Sequence, residues 1–261
     1  MPPHAQLRDG APALTLIHGF MGSAADWDGL PLRLGGFAKR ALDLPGHGPR
    51  PPLEGGAGFD DVVALIVDEL PPDAALLGYS LGARLALAVA ARAPSRLRAL
   101  VLESGTAGWE GAGRDARREL DRQRAAALRS NPEGFVREWM EQPLLASLAE
   151  RSPGAAEALE RRRMGQIARG GAVGWAWAIE ALSVADQPDL WFGLKEITVP
   201  TLVVTGGRDT RYTDIGRRLA SGLASATHHV VPDAGHNVHA EAPTAFARAV
   251  TDFLHGVRQA V

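Results

Sequence analysis

The chain has 261 residues, of which 46% are hydrophobic and 22% are charged. These values are typical of a globular protein, and the length is sufficient for one α/β domain with an insertion and a large core. The formal net charge of −2 favours neither nucleic acid nor a membrane surface as a partner. The chain has no cysteine, which excludes disulfides, thiolate metal sites and cysteine nucleophiles.

The N-terminal stretch, residues 1–20, has no basic segment followed by a long apolar run, so we expect no signal peptide. No apolar stretch reaches the ~18 residues that a membrane-spanning helix needs. We therefore expect a cytoplasmic protein, a monomer or a small homo-oligomer, that binds neither membranes nor nucleic acid.

Short apolar runs alternate with longer segments of helical periodicity in the first and last parts of the chain. The pattern predicts a strand just before the segment DLPGHG (43–48), and further strands over 13–17, 74–79, 97–103, 201–206 and 227–232. It predicts helices over 59–70, 81–93, 214–224 and 243–257. Strands that alternate with helices favour an α/β fold with an open, mostly parallel sheet and helices on both faces.

Residues 107–190 interrupt this alternation, because no convincing strand occurs there. Helices are expected instead over 114–130, 132–142, 155–164 and 174–183, with breaks at Pro132, Pro143, Pro153 and the Gly170–Gly171 pair. A helical insertion between strands of an open sheet would lie at the edge where ligands bind. The sequence therefore predicts a core of residues 1–106 and 191–261, with residues 107–190 inserted as a helical cap.

The segment Gly78-Tyr79-Ser80-Leu81-Gly82 has the G-x-S-x-G pattern and lies between a predicted strand and a predicted helix. A sharp strand-to-helix turn crowds its central residue, so small residues must flank that residue. The same turn exposes the serine hydroxyl above the sheet. This context predicts that Ser80 is a reactive serine, and a purely structural turn is the alternative.

Two backbone N–H groups are candidates for an oxyanion hole beside this serine. Leu81 begins a predicted helix, where its N–H can stabilise negative charge. The loop after the first strand can present the N–H of Phe20 to the same point. His18 and His47 lie in the loops after the first and second strands, and we interpret both as structural residues rather than bases.

A serine hydroxyl becomes reactive when a histidine accepts its proton and a carboxylate fixes the tautomer of that histidine. On a sheet of this kind the chain order is serine, acid, histidine. Asp209 and His236 each follow a predicted strand, so they are predicted to complete a triad with Ser80. Asp214 is a weaker candidate for the acid, since it looks like a helix N-cap or first-turn residue.

The segment DAGHNVHAEAP (233–243), which contains His236, could alternatively be a metal site. His236 and His239 lie three residues apart, and Glu241 lies two residues further on. Ligands at this spacing need a helix and a third ligand nearby, whereas the proline and glycine content of 232–243 disfavours a helix. We therefore predict no metal, and expect His239 and Glu241 on a short turn that holds the loop or shapes the pocket rim.

Six segments spread over nearly the whole chain, from about residue 14 to 254, together resemble the α/β-hydrolase superfamily: HGFMGSAADW, DLPGHG, GYSLGARLAL, ESGTAG, GGRDTRY and AGHNVHAEAP. More narrowly, the chain resembles the 2-succinyl-6-hydroxy-2,4-cyclohexadiene-1-carboxylate synthase family of menaquinone biosynthesis. The narrower resemblance rests on Arg84, four residues after Ser80, and on the segments REWMEQPLLASL, QPDLW and GHNVHAE.

This resemblance implies an α/β-hydrolase fold and a lyase reaction, in which a triad of Ser80, Asp209 and His236 removes a proton and pyruvate is eliminated. It implies neither a metal nor an organic cofactor, and it implies oxyanion N–H groups from Phe20 and Leu81. The substrate of the family is a small anion with several carboxylates, which arginines near the serine and on the cap bind.

By motif position, the resemblance also implies substrate contacts for Arg84, Arg117, Trp139 and Tyr79. The chemistry agrees with the arginines, because a guanidinium pairs bidentately with a carboxylate and keeps its charge. An ordinary surface or structural ion pair is the alternative for both of them.

The third substrate arginine of the family has no direct match here. Its expected position, counted back from the segment QPDL, falls near Ile167, which cannot bind a carboxylate. We favour Arg163 over Arg169 as the residue that takes this role. The main alternative function is a serine esterase or lactonase that uses the same triad through an acyl-enzyme, and a non-enzymatic ligand-binding relative is a third. Several arginines facing the site would favour the synthase over an esterase for neutral substrates.

Overall fold

Six parallel strands form one open sheet in the computed structural model, which describes residues 13–32, 37–109 and 113–259. The strands are β1 (Ala13–Ile17), β2 (Ala38–Leu42), β3 (Ala74–Tyr79), β4 (Leu97–Glu103), β5 (Thr201–Gly206) and β6 (Ala226–Val231). Their order is β2-β1-β3-β4-β5-β6, and every neighbouring pair is parallel. The order changes direction between β1 and β3, and ligands of such sheets bind at the carboxyl ends of the strands beside that point.

The described α-helices are α1 (Phe59–Glu69), α2 (Leu81–Arg92), α3 (Arg114–Ser130), α4 (Pro132–Met140), α5 (Ala146–Arg151), α6 (Pro153–Ile167), α7 (Gly171–Ala181), α8 (Thr210–Gly222), α9 (Val238–Glu241) and α10 (Pro243–Gln259). Short 3-10 helices cover Ala24–Trp27, Pro94–Arg96, Pro143–Leu145 and Trp191–Glu196. Within the described ranges, no helix is both long enough and apolar enough to cross a membrane.

The two faces of the sheet bury different side chains, because successive residues of a strand point to opposite faces. In β4, Leu100 and Leu102 join the apolar cluster packed against α1, α2 and α8. Ala99 and Val101 join the cluster packed against α10. Central strands that are buried on both faces have nearly continuous apolar sequences, which is why their positions could be predicted.

β2 is the strand whose bounds the apolar pattern did not indicate, and it lies at an edge of the sheet. The Lys39 Nζ atom donates to the carbonyl oxygen of Trp27 at 3.0 Å, and the Arg40 guanidinium donates to that of Glu69 at 2.7 Å. Charged residues are common on edge strands. In this chain they interrupt the apolar run that would otherwise mark the strand.

α8 begins at Thr210 and not at residue 214, because Asp209 caps it. The Asp209 Oδ1 atom accepts the N–H of Tyr212 at 3.1 Å, as an N-cap side chain does. Asp214 lies in the second turn and forms an exposed ion pair with Arg217 at 2.7 Å. The expectation that Asp214 is an N-cap or first-turn residue was therefore wrong.

Helices α3 to α7 occupy the chain between β4 and β5 and have an apolar cluster of their own. Leu128 of α3, Val136 of α4 and Trp175 of α7 are buried in it, together with Met21 from the loop after β1. The helical segment therefore packs onto the carboxyl ends of the strands, and the cap boundaries of 107–190 stay a prediction. α5 was not predicted, because six residues are too few for a helical period to be recognised.

Candidate active site

Ser80 occupies the sharp turn between β3 and α2. Its backbone has φ 51° and ψ −107°, a conformation that costs a residue with a side chain about 1–3 kcal/mol. Close approach explains the flanking glycines, since a Cβ at Gly78 would lie 2.6 Å from the Ala83 nitrogen and one at Gly82 would lie 2.6 Å from the His18 carbonyl oxygen. The packing around the two glycines therefore holds Ser80 at the tip of the turn.

Ser80, His236 and Asp209 form a hydrogen-bonded chain. The Asp209 Oδ2 atom lies 2.8 Å from His236 Nδ1, and His236 Nε2 lies 3.1 Å from Ser80 Oγ. The carboxylate accepts the Nδ1–H, which leaves Nε2 to accept the serine proton. His236 is 2% exposed, and its ring packs against the ring of Tyr212 with 4.5 Å between centroids. The arrangement can transfer a proton between Ser80 and His236.

Phe20 and Leu81 both line the cavity into which Ser80 opens. Leu81 is the first residue of α2, where unpaired N–H groups create a positive partial charge. The loop after β1 runs beside the serine, since a Cβ at Gly19 would lie 3.6 Å from the Ser80 Cβ. The N–H groups of Phe20 and Leu81 are therefore candidates for stabilising an oxyanion.

His18 and His47 join the loops after β1 and β2. The Nδ1–H of His18 donates to the adjacent carbonyl at 2.7 Å, and its Nε2 accepts the N–H of Leu44 at 3.1 Å. His47 donates from Nδ1 to the Pro45 carbonyl at 3.1 Å and accepts the N–H of Met21 at 3.2 Å. Burial lowers the pKa of both rings, that of His47 well below 6.5. Both side chains are therefore neutral and shape the loops.

A cavity of about 330 Å³ contains Ser80 in its wall, and we call it the Ser80 cavity. Its other described walls come from the loop after β1, from α2 and α8, and from the chain after β4, including the cap. Among the described residues of its lining there is one carboxylate, Asp121, and there are four arginines: Arg84, Arg117, Arg124 and Arg211. This excess of positive charge favours a ligand that carries more than one negative charge.

Arg84 reaches the Ser80 cavity from α2, one helical turn after Ser80. It donates to Gln187 Oε1 at 3.2 Å and to the Leu182 carbonyl oxygen at 2.9 Å. No carboxylate of the described residues lies within ion-pair distance of it. Burial lowers the pKa of Arg84 to about 10, which leaves it charged at neutral pH. A half-buried cation whose acceptors in the described part of the chain are neutral can form strong hydrogen bonds to an anionic ligand.

Arg117 and Arg124 share the carboxylate of Asp121. The Arg117 Nε–H donates to Oδ2 at 2.8 Å, and an Arg124 N–H donates to Oδ1 at 3.3 Å. The Ser183 hydroxyl also donates to Asp121 at 2.7 Å, and Asp121 is 1% exposed. Burial, and then the neighbouring charge of Arg117, lowers the pKa of Arg124. One carboxylate thus orients two arginines, and a net positive charge remains for a ligand.

Trp139 of α4 forms part of the wall of the Ser80 cavity. Its ring centroid lies 5.1 Å from that of Phe20 and 5.6 Å from that of Phe135. The Arg124 guanidinium lies 5.3 Å from the Trp139 ring centre, a distance that allows a cation–π interaction. The aromatic wall therefore connects the cap to the loop after β1.

Arg163 and Tyr79 line a second cavity of about 280 Å³, which shares Phe20 with the Ser80 cavity. Arg163 is 5% exposed and contacts the Met140 sulfur at 2.6 Å. Its Nε atom is buried and has no hydrogen-bond partner among the described residues. Arg169 is exposed. Of the three arginines expected to meet at the serine, the structure places two in the Ser80 cavity and Arg163 in the neighbouring one.

The second histidine of 233–243 binds a carboxylate of β4. The backbone N–H of His239 donates to Glu103 Oε1 at 2.9 Å, and its Nδ1 lies 2.8 Å from Glu103 Oε2. Glu103 is fully buried. The segment that suggested a metal therefore takes part in two separate histidine–carboxylate pairs. Among the described residues, no group of three His, Cys, Asp or Glu side chains could hold a metal ion.

Arg124, Arg211 and Tyr212 line the Ser80 cavity but were not predicted. Arg124 lies seven residues after Arg117 and three after Asp121, so all three share one face of α3, and this spacing is a usable signal. Arg211 and Tyr212 lie in the first turn of α8. Their position could be inferred only once Asp209 was known to cap that helix.

A sequence model of the Alpha/beta hydrolase family matches residues 16–249. The chain is 36% identical over 253 residues to the 2-succinyl-6-hydroxy-2,4-cyclohexadiene-1-carboxylate synthase of Enterobacter sp. (strain 638), covering 95% of this chain and 93% of that protein. The structure is similar to that of MenH from S. aureus, with a TM-score of 0.88 and 27% identity over 95% of this chain and 94% of that one.

A thermophilic esterase from Thermogutta terrifontis, determined with malate bound, is also similar, with a TM-score of 0.80 and 25% identity over 95% of this chain and 90% of that one. The fold prediction is confirmed by the parallel sheet and by these matches. The chain therefore belongs to the alpha/beta hydrolase family and, within it, to the branch that contains the 2-succinyl-6-hydroxy-2,4-cyclohexadiene-1-carboxylate synthases.

Proposed function

We propose that this enzyme is a lyase of menaquinone biosynthesis. It eliminates pyruvate from an anionic succinyl-cyclohexene-carboxylate and forms 2-succinyl-6-hydroxy-2,4-cyclohexadiene-1-carboxylate. The relative from Enterobacter, which carries that synthase's name, supports the assignment. The observation that carries it is the Ser80 cavity, where Ser80 of a Ser-His-Asp chain meets four arginines and, among the described residues, one carboxylate in the same lining.

The proton moves through the Ser80–His236 pair. His236 can hold the serine proton, and Asp209 stabilises the imidazolium that results. The pair removes a proton from a C–H group of the substrate, a carbon–carbon double bond forms, and the carbon–oxygen bond to the pyruvate unit breaks. The leaving oxygen takes the bonding electrons, and the unit is released as pyruvate after a proton returns. The N–H groups of Phe20 and Leu81 stabilise the negative charge that develops on the substrate.

The arginines bind and orient the substrate. Arg84 binds one substrate carboxylate, because its charge has no carboxylate partner among the described residues. Arg117 and Arg124, which Asp121 orients, bind a second one. Two anchoring points fix the substrate in rotation as well as position, so the C–H group stays close to Ser80.

A serine esterase or lactonase is the second candidate function. It would use Ser80 as a nucleophile and form an acyl-enzyme, and the likeness to the esterase from Thermogutta terrifontis favours it. A neutral ester, however, makes no use of the net positive charge of the cavity, and it leaves Arg84 without an anionic partner in the described part of the chain. The charge of the cavity therefore favours the lyase.

The two functions are separated by assaying the purified protein with the pyruvate-bearing synthase substrate and with short nitrophenyl esters. We expect pyruvate release from the first and little cleavage of the second. Ser80→Ala should release no pyruvate, whereas Ser130→Ala, a matched serine exposed on α3, should behave as the wild type. Rapid ester cleavage without pyruvate release would refute the lyase and favour the esterase.

A further inference from the structure

The loop that carries His236 is held by the carboxylate of Glu241. Its Oε2 atom accepts the N–H of Gly235 at 2.8 Å, and its Oε1 atom accepts the N–H of Asn237 at 3.3 Å. These two N–H groups belong to the residues immediately before and after His236. The carboxylate therefore fixes the backbone on both sides of the proposed proton carrier, with one oxygen for each side.

The cap reaches the same carboxylate from the opposite direction. The Ser147 hydroxyl of α5 donates to Glu241 Oε2 at 2.7 Å, and the Ser152 hydroxyl just after α5 donates to the Glu241 carbonyl oxygen at 3.3 Å. A Cβ at Gly235 would collide with the Ser147 hydroxyl and lie 3.0 Å from its Cβ. Glycine at position 235 therefore lets Ser147 of α5 approach the loop that carries His236 closely enough to reach Glu241.

The residues just before α5 line the Ser80 cavity. Gln142, Pro143 and Leu144 belong to its wall, and α5 begins two residues later at Ala146. A short segment of the cap thus contacts the space for the substrate at one end and Glu241 at the other. A ligand that holds this segment against the cavity also holds Ser147 against Glu241.

α9 is fixed independently on its core side. His239 donates from its backbone and its ring to the buried Glu103 at the end of β4. The Asn237 Oδ1 atom accepts the N–H of Ala240 at 3.3 Å and caps the short helix. These hydrogen bonds anchor α9 to the core, whereas Glu241, at the end of α9, contacts both the cap and the backbone beside His236.

We propose that Glu241 is a positioning residue that couples docking of the cap to placement of His236 against Ser80. Ser147 is the contact through which the cap acts on it. The proposal rests on the part of the proposed function in which His236 receives the serine proton, and it does not depend on which substrate is bound.

The test follows the reactivity of Ser80 with a small, neutral fluorophosphonate. In that reaction the Ser80 Oγ atom bonds to phosphorus, fluoride leaves, and His236 takes the serine proton. The reagent is used in excess, well below the melting temperature of each variant. A pseudo-first-order rate constant does not depend on how much folded enzyme is present, so a variant that merely folds less well gives the wild-type constant.

Glu241→Gln keeps the size of the side chain but has one acceptor oxygen in place of two, so one of the N–H groups beside His236 loses its partner. We expect phosphonylation of Ser80 to slow by about tenfold to hundredfold, as small displacements of catalytic groups do. Ser147→Ala should slow it by a smaller factor. Glu150→Gln, a matched change at an exposed residue of α5, should leave the rate constant unchanged.

The double variant with Ser147→Ala and Glu241→Gln distinguishes coupling from two independent effects. If Ser147 acts through Glu241, the double variant should react no more slowly than Glu241→Gln alone. A wild-type rate constant for Glu241→Gln, or single effects that multiply in the double variant, would overturn the proposal. The proposed lyase reaction could fail in its pyruvate assay without changing this result, because phosphonylation needs only Ser80, His236 and Asp209.

Discussion

Replacing Arg84 by alanine tests whether the Ser80 cavity binds an anion. Arg84 makes hydrogen bonds to the neutral acceptors Gln187 and Leu182, and a guanidinium has five N–H groups in all. The groups that remain can bind a substrate carboxylate. A hydrogen bond to a charged group contributes about 1.5–3 kcal/mol, and each 1.4 kcal/mol corresponds to a factor of ten in affinity. Arg84→Ala should therefore raise KM roughly tenfold to hundredfold for the anionic substrate.

The assay measures KM and kcat for pyruvate release, together with KM for a neutral nitrophenyl ester if any cleavage is detectable. Arg92→Ala is the matched control, because it removes the same charge from an exposed position on the same helix, and its KM should stay at the wild-type value. The melting temperature of each variant shows whether the fold is intact. An unchanged KM for the anionic substrate, or an equal rise for the neutral ester, would refute anion recognition by Arg84.

Three further predictions concern the same site. Ser80→Ala and Ser80→Gly should both abolish pyruvate release. In urea unfolding the glycine variant should be more stable than the alanine variant by about 1 kcal/mol, because glycine adopts φ 51° with less strain. Equal stabilities of the two variants would contradict strain at this turn. Arg124→Ala should raise KM by less than Arg84→Ala, roughly threefold to tenfold, because Asp121 already neutralises part of its charge; a larger effect than that of Arg84→Ala would reverse this ranking. Burial lowers the pKa of His18 and His47 below 6.5. Below pH 6.5 these histidines therefore bind protons in the unfolded chain but not in the folded one. The free energy of unfolding should consequently be maintained above pH 6.5 and decrease as the pH falls below it. Urea unfolding at about pH 7.5 and about pH 5 measures this decrease, which should be smaller in His47→Gln, and an equal decrease in that variant would contradict the role of His47.

Much of the core could be predicted, because burial on both sides leaves a clear apolar pattern in the sequence. β1, β3, β4 and β5 have the predicted bounds, and β6 is displaced by one residue. β2 lacked such a pattern, since the edge position allows the charged residues Lys39 and Arg40 within the strand.

The residues of the proposed triad could be selected because each lies at the end of a strand in a fixed chain order. Parallel strands end at the same edge, so loops that are far apart in sequence meet there. That reasoning led to Ser80, Asp209 and His236, which the structure joins by hydrogen bonds of 2.8 and 3.1 Å. Their catalytic roles stay predictions until the variants are assayed.

The arginines of the cap were harder to locate, because their positions depend on how helices pack and not on the order of strands. Arg163 lines the neighbouring cavity together with Tyr79, although its sequence position suggested the Ser80 cavity. Arg124 lines the Ser80 cavity because Asp121 and Trp139 hold it there. The contact with Asp121 follows from the i, i+3 spacing on α3, but the contact with Trp139 could not be inferred before the crossing of α3 and α4 was known.

The role of Glu241 also depends on an element that the sequence pattern did not reveal. The prediction that Glu241 holds the loop or shapes the pocket rim agrees with its hydrogen bonds to Gly235 and Asn237. Its partner Ser147 lies on α5, which is too short to produce a recognisable helical period. The contact between cap and loop was therefore visible only in three dimensions.

The most direct test of the proposed function is a proton NMR time course of the purified protein with the pyruvate-bearing synthase substrate. The lyase proposal predicts that pyruvate and the ring diene appear together in a one-to-one ratio as the substrate disappears, and that Ser80→Ala forms neither. Consumption of the substrate without pyruvate, or pyruvate formation that persists in Ser80→Ala, would contradict the proposal.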